Sequence, residues 1–360
     1  MKVTNIDTFL VRVPLVKPFK TAVRTVLSAD SLVVRLDCDN GISGWGEAPA
    51  TVAITGDSLS SIDAAIKEHL GPFLIGRNLL AYEEVLSGLS GVMVGNTSAK
   101  AALDMAVYDC LAQNSHLPLY EYLGGADGEL ETNMTVSVNS PEEMGEDTER
   151  YKEQGFSILK VKVGIGDIEL DIKRVREIRK KAGNHIRIRL DANQGWSPKM
   201  AVRAIGQMED EGLDIELVEQ PVKAHDLHGL KQVTDHVNTL IMADESVFSP
   251  KQALEVIRMR AADLINIKLM KAGGIYQGLK INQLAEAAGM ECMAGSMIET
   301  HLGITAAAHF AASKQNITRY DFDAPLMLSK NILNGGLCYQ TNKIHLPKEA
   351  GLGIRGIHTQ

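Results

Sequence analysis

Ile158-Leu159-Lys160-Val161-Lys162-Val163 reads as a short strand of β-branched and long apolar residues with two lysines set into it. Period-two alternation puts Lys160 and Lys162 on one face and Leu159, Val161 and Val163 on the other. The apolar face suits packing under helices, so the lysines point into the interior of a barrel. A buried lysine without a partner is costly, and this face therefore calls for anions close by. The next runs supply them: Ile186 to Asp191 ends in an aspartate, Ile215 to Glu219 in a glutamate and Leu240 to Asp244 in a second aspartate.

Further β-rich runs lie on either side, at Thr135–Val138, Leu264–Lys268, Cys292–Ser296 and Ile317–Phe322, making eight in all. Helical stretches such as Pro141–Gln154, Ile168–Ala182, Pro198–Glu211, Pro250–Arg260 and Gly278–Ala288 separate them. Strand and helix alternating in this rhythm predict an α/β fold, a (β/α)7β TIM-like barrel, over 126–325. Residues 1–125 read as an α+β capping domain. Val3–Val13 and Ser31–Leu36 are strand-like, and Asn40-Gly41 turns the chain into Ser43–Glu47. Asp57 or Ser58 can cap a helix through Leu70, and Ser98 opens a second one over Ala99–Tyr108. The tail, 326–360, is Gly-rich with no closing helix, and is expected to return to the capping domain.

Apolar residues make up 45% of the 360-residue chain and charged residues 23%, as in ordinary globular proteins. A net charge of −8 argues against nucleic acid or an anionic membrane as the main partner. The start, Met1–Asp7, lacks the apolar run of a signal peptide, and no stretch approaches the ~18 apolar residues of a membrane span. Cys38, Cys110, Cys292 and Cys338 are scattered and read as buried free thiols in a reducing compartment. A cytoplasmic homo-oligomer is expected.

The chemistry belongs at the C-terminal ends of the barrel strands. Asp191, Glu219 and Asp244, one from each of three successive strands, would repel one another without a cation. An all-oxygen ligand set favours a hard ion, Mg²⁺ before Mn²⁺. The next strand ends in Lys268, across the mouth from Lys160 and Lys162. A carboxylate bound to the metal would then hold its α-carbon between amines on opposite sides. That arrangement fits 1,1-proton transfer, with Lys162 and Lys268 exchanging the α-proton, Lys160 in support and the metal stabilising the charge that develops. A lysine acting as a base near neutral pH needs a lowered pKa, which the metal and the Lys160–Lys162 neighbourhood would favour.

The ordered set Lys160-x-Lys162, Asp191, Glu219, Asp244 and Lys268 resembles the muconate-lactonizing subgroup of the enolase superfamily. The resemblance extends to Gly44-Trp45-Gly46-Glu47, the helix Ala99–Tyr108 and the returning tail. It implies the barrel with its cap, one Mg²⁺ per active site, and a lid at Pro14–Thr25 that closes over the barrel. Within the subgroup, Asp321 and Asp323 in Tyr320-Asp321-Phe322-Asp323 resemble the mark of dipeptide epimerases, which bind the substrate ammonium there. By the same resemblance Arg24 would pair with an acidic second residue, Phe19 would serve a hydrophobic one, and Thr135, Ser296 and Ile298 would contact substrate. Asn193 and Glu245 are expected to support the ligands. Two alternatives compete: an N-succinylamino acid racemase or o-succinylbenzoate synthase of the same subgroup, and a non-catalytic Mg²⁺-binding barrel. The first has no use for Asp321 and Asp323, and the second none for opposed lysines.

Overall fold

The computed structural model describes residues 1–126 and 128–358. Its chain begins with three antiparallel strands, β1 (Val3–Lys20), β2 (Thr25–Cys38) and β3 (Ser43–Pro49). β1 and β2 run further than the alternation suggests. Pairing is lost after Pro14–Ser28 and resumes at Phe19–Val26, so four residues of β1 bulge opposite Leu27. Pro14 and Pro18 have no N–H to give to a ladder, which accounts for the bulge between them. The segment expected as a lid loop is therefore the far end of a hairpin, closed by Thr21 N–H donating to the Arg24 carbonyl at 3.0 Å.

Both candidate caps are used, on different helices. Ser58 caps Leu59–Ala64 in a reciprocal box with Ser61. Asp57 instead accepts from Ser98 N–H at 3.1 Å, inside the first turn of the helix Thr97–Asn114. That long helix is buried on nearly every side and lies directly on β3. Gly44 and Gly46 make this possible, because a Cβ there would sit 2.1 Å from Ala106 O and 1.9 Å from Ala102 O.

After β4 (Glu129–Glu131), eight parallel strands follow in sequence order: β5 (Met134–Val136), β6 (Ile158–Lys162), β7 (Arg187–Asp191), β8 (Ile215–Glu219), β9 (Leu240–Ala243), β10 (Leu264–Lys268), β11 (Cys292–Gly295) and β12 (Ile317–Asp321). These are the runs read from the sequence, within one or two residues. Among the described residues no backbone ladder joins β5 to β12. One long main-chain bond, Asn133 N–H to the Tyr320 carbonyl at 3.4 Å, crosses that seam, and side chains supply the shorter bonds. Phe322 N–H donates to Thr132 Oγ1 at 2.9 Å and Thr135 N–H to Asp323 Oδ2 at 2.6 Å.

The tail forms β13 (Leu333–Gly335), β14 (Cys338–Gln340), β15 (Lys343–His345) and β16 (Ile354–Ile357). β13 pairs with β16, while β14 and β15 extend β4. Beyond them Leu352 N–H donates to Asp109 of the long helix at 2.8 Å. Cys338 is exposed, which corrects the expectation of four buried thiols: β14 is an edge strand paired only with β15. No helix among the described residues is long and apolar enough to cross a membrane.

Buried carboxylates fasten the N-terminal elements to barrel helices. Glu47 of β3 accepts from Thr300 N–H (2.9 Å), Thr300 Oγ1 (2.6 Å) and Gly303 N–H (2.8 Å), at the start of the helix His301–Ala312. Asp104 accepts from Ile275 and Tyr276 N–H at the start of Ile275–Ala287. Each satisfies amides a helix cannot satisfy itself, and each lies at the favourable end of its dipole.

His309 makes a further link. Its Nδ1 accepts from Tyr120 N–H at 3.0 Å, and burial pushes its pKa down to about 3. The unfolded chain binds this proton below about pH 6.5 and the folded one does not, so stability is lost as pH falls from there toward 3. His309→Asn keeps an acceptor and removes the titration. Between pH 7 and 5.5 the wild type should lose roughly 1 kcal/mol more than the variant in urea unfolding. Parallel pH curves would refute this assignment.

Candidate active site

Register brings the charged strand ends together. Lys162 lies beside Asp191 across β6–β7, and Asp191 beside Glu219 across β7–β8. Lys160 and Lys162 both point inward, at 2% and 6% exposure. Lys160 Nζ lies 2.6 Å from Glu219, 2.7 Å from Asp321 and 3.1 Å from Asp191. Lys162 pairs with Asp191 at 2.5 Å, and Lys268 with Asp244 at 2.7 Å. β6 and β10 stand four places apart in an eight-stranded sheet, so Lys162 and Lys268 enter from opposite walls.

Lys271 was not singled out from sequence, yet it is fully buried. Its amine donates to the carbonyls of Asp244, Val247 (3.1 Å) and Asn266 (3.2 Å) and lies 2.6 Å from Asp244 Oδ1. The only available signal was a second lysine three residues after Lys268, just before Gly273-Gly274. Gln220 was also missed. Its Oε1 accepts from Asp244 and Ser246 N–H, so it sets the loop that carries Asp244.

Around the base of the cleft, six carboxyls (Asp191, Glu219, Asp244, Glu245, Asp321, Asp323) meet four amines (Lys160, Lys162, Lys268, Lys271), a formal surplus of two negative charges. The strain shows in the acids. Burial and the neighbouring Asp191 push Glu219 up to about 8, and burial with Asp244 pushes Glu245 up to about 7. Burial opposes the charge on Lys268, but Asp244 and Glu219 outweigh it and hold the amine above the usual lysine range. The protein's own charges alone thus do not lower this lysine, and the lowering expected from sequence includes a bound cation. Asp244 and Asp191 are held below the ordinary carboxylate range, their burial outweighed by the lysines.

These residues fit a hard divalent cation in chemistry and charge. Glu219 Oε2 and Asp244 Oδ1 are buried with no partner in hydrogen-bond geometry, although an amine stands near each. The fit is not one of ready-made coordination. The lysines interleave with the acids, and among the described residues no three acidic, His or Cys side chains surround a common point. Asn193 Nδ2 donates to Glu245 Oε1 at 3.2 Å, leaving Asn193 Oδ1 and Glu245 Oε2 unpartnered at the cleft wall.

The other candidates share this cleft: Phe19, Arg24, Thr135, Ser296, Ile298, Asp321 and Asp323 all line it. Asp321 is not a free acceptor. It takes Lys160 at 2.7 Å and Asn133 Nδ2 at 2.8 Å, and despite its burial Lys160 holds it down at about 2. Asp323 takes Thr135 N–H, and burial beside Asp321 pushes it up to about 7. Arg24 has no ion-pair partner among the described residues, and burial lowers its pKa. The cleft leaves about 60 Å³ of free space beneath the hairpin tip that carries Phe19 and Arg24.

Two family models divide the chain between them. Residues 4–124 match the N-terminal domain of mandelate racemase / muconate lactonizing enzyme, and residues 143–356 match the enolase C-terminal domain-like family. The chain belongs to the mandelate racemase / muconate lactonizing enzyme family. Among its members, the L-Ala-D/L-Glu epimerase of Bacillus subtilis is 61% identical over 99% of this chain and 97% of its own. A solved substrate-liganded complex of the B. subtilis L-Ala-D/L-Glu epimerase superposes with a TM-score of 0.99 at 60% identity, covering 100% of both chains. The dipeptide epimerase of Enterococcus faecalis, solved with Mg and L-Leu-L-Tyr, gives 0.95 at 44% identity over 98% of this chain and 99% of that one.

In this family member Lys271 is the buried cation that ties the Asp244 loop. Lys271→Met removes the charge and strands three carbonyls, and should cost about 3–5 kcal/mol in unfolding free energy. The exposed Lys173→Met is expected to leave stability unchanged; equal stability of the two variants would remove the role given to Lys271.

Proposed function

We propose that this protein is a Mg²⁺-dependent dipeptide epimerase that inverts the α-carbon of the second residue. The observation that carries the reading is the presence, in one cleft, of opposed lysines at Lys162 and Lys268 together with the acid pair Asp321 and Asp323. The near-complete likeness to the L-Ala-D/L-Glu epimerase supports it. The same reading treats 1–125 as the cap, 126–325 as the catalytic barrel and 326–360 as a tail shared between them.

Lys162 and Lys268 stand on opposite walls, so each can reach one face of a substrate's α-carbon. One takes the proton as a neutral amine and the other returns one as an ammonium. Asp191, Glu219 and Asp244 would hold Mg²⁺, which would supply positive charge to the substrate carboxylate. Asp321 and Asp323 present negative charge to the N-terminal ammonium, with Thr135 holding Asp323 in place. Ser296 and Ile298 wall the space for the first side chain. Arg24 brings an unpaired, largely buried guanidinium to the cleft from the hairpin tip. Such a group is costly without an anion, so an acidic second residue is the preferred substrate.

The test is α-deuteration in D₂O with Mg²⁺, followed by NMR on L-Ala-L-Glu and apolar L,L-dipeptides. Deuterium at the second α-carbon with appearance of the L,D isomer is expected, and excess EDTA should abolish it. Exchange only in N-succinylamino acids would overturn the reading. Lys162→Ala and Lys268→Ala should each lower epimerisation by about 10²–10⁴, and each should exchange deuterium into only one of the L,L and L,D isomers. Arg24→Met should reduce kcat/KM for L-Ala-L-Glu by about 10- to 100-fold and affect L-Ala-L-Leu little. Equal loss on both would reassign Arg24 to lid structure.

A further inference from the structure

Barrel interiors below the active rim are normally filled by branched apolar side chains. Here one level of that interior is polar. Asn133, fully buried just before β5, donates Nδ2–H to Asp321 Oδ1 at 2.8 Å. Its Oδ1 faces Arg189 Nη1 at 3.5 Å. Arg189, 2% exposed, is anchored through Nε to Glu216 at 2.7 Å, and Glu216 is held in turn by Arg319 at 2.8 Å. A guanidinium can only donate, so it requires the oxygen of the Asn133 amide on its side and the NH₂ on the side of Asp321. The amide therefore has one orientation. Asp321 is gripped at both oxygens, by Asn133 on Oδ1 and Lys160 on Oδ2.

We propose that Asn133, oriented by Arg189, is a positioning residue for the ammonium site: it holds Asp321 turned toward the substrate amine against the pull of Lys160. This rests on the epimerase reading above. Lys160 Nζ is 2.7 Å from Asp321 and is the strongest competitor for that carboxylate. Without the second grip, Asp321 can rotate to give both oxygens to Lys160, leaving the substrate ammonium with Asp323 alone. The loss falls on binding of the amine and not on the proton transfers, which occur on the side of Lys162 and Lys268.

The experiment compares the Mg²⁺-loaded wild type with Asn133→Asp and Asn133→Ser. The first keeps size and shape and turns the donor into an acceptor. The second removes the donor with less crowding, and keeps the test alive if the first does not fold. The readouts are KM and kcat for L-Ala-L-Glu and the Ki of N-propionyl-L-Glu, the same molecule without its ammonium. Both variants should raise KM by about 10- to 100-fold, change kcat by less than about 3-fold and leave Ki within about 2-fold. Unchanged KM overturns the proposal. So does a Ki that rises in step with KM, because Asn133 would then serve only to close the barrel seam. A wild type without activity on any dipeptide defeats the epimerase reading instead, and that result comes before any variant is made.

Discussion

Four ammonium groups and six carboxyls must share a nearly dry barrel mouth, and that constraint governs the architecture. An isolated charge there would cost several kcal/mol even after relaxation. Strand register is what makes the sharing possible: Lys162, Asp191 and Glu219 stand side by side on three consecutive strands. A slip of one residue in any strand would turn its charged end outward and leave a neighbour unpaired. The charges are therefore a poor source of net stability and a strong source of uniqueness, since few alternative registers leave them paired.

The N-terminal sheet serves the site in two ways. At its barrel-facing edge Glu47 satisfies the start of the helix His301–Ala312, which follows directly on the cleft-lining residues Ser296, Met297 and Ile298. At its far end the β1–β2 hairpin carries Phe19 and Arg24 over the cleft. One end is pinned by buried hydrogen bonds, while the other, beyond a bulge, meets the barrel through Lys17 with Glu143 and Asp147, Lys20 Nζ with Asn139 Oδ1, Lys20 N–H with Ser137 Oγ and the Lys20 carbonyl with Val138 N–H. The Lys17–Glu143 pair is exposed on both sides and is worth only about 0–1 kcal/mol, whereas Asp147 is buried. A base fixed by buried bonds and a tip held by polar contacts place Phe19 and Arg24 over the cleft.

The barrel strands were legible because they are short and largely apolar, and the charges that end β6, β7, β8, β10 and β12 announced which face was inside. The bulge was not, because Pro14 and Pro18 look like the end of a strand when only alternation is followed. Lys271 lies just beyond a strand and behaves as a backbone clamp, a role with no periodic signature. The surroundings of Asp321 were equally hidden. Alternation places Asp321 and Asp323 on one face, but nothing in Tyr320–Asp323 reveals that Lys160 and Asn133, both more than 150 residues earlier, already hold the first of them.

That hidden pairing follows from how the barrel closes. Seven neighbouring strand pairs are joined by backbone ladders, whereas the first and last strands meet through a single long main-chain bond from Asn133 to Tyr320 and through the side chains of Thr132, Asn133, Asp321 and Asp323. With side chains closing the gap, carboxylates take the place of carbonyl acceptors and keep lone pairs directed into the cleft. The seam is thus where closing the fold and the proposed binding of the substrate ammonium draw on the same atoms. A change there that altered the substrate's charge requirement would also have to supply a new way of holding β5 against β12.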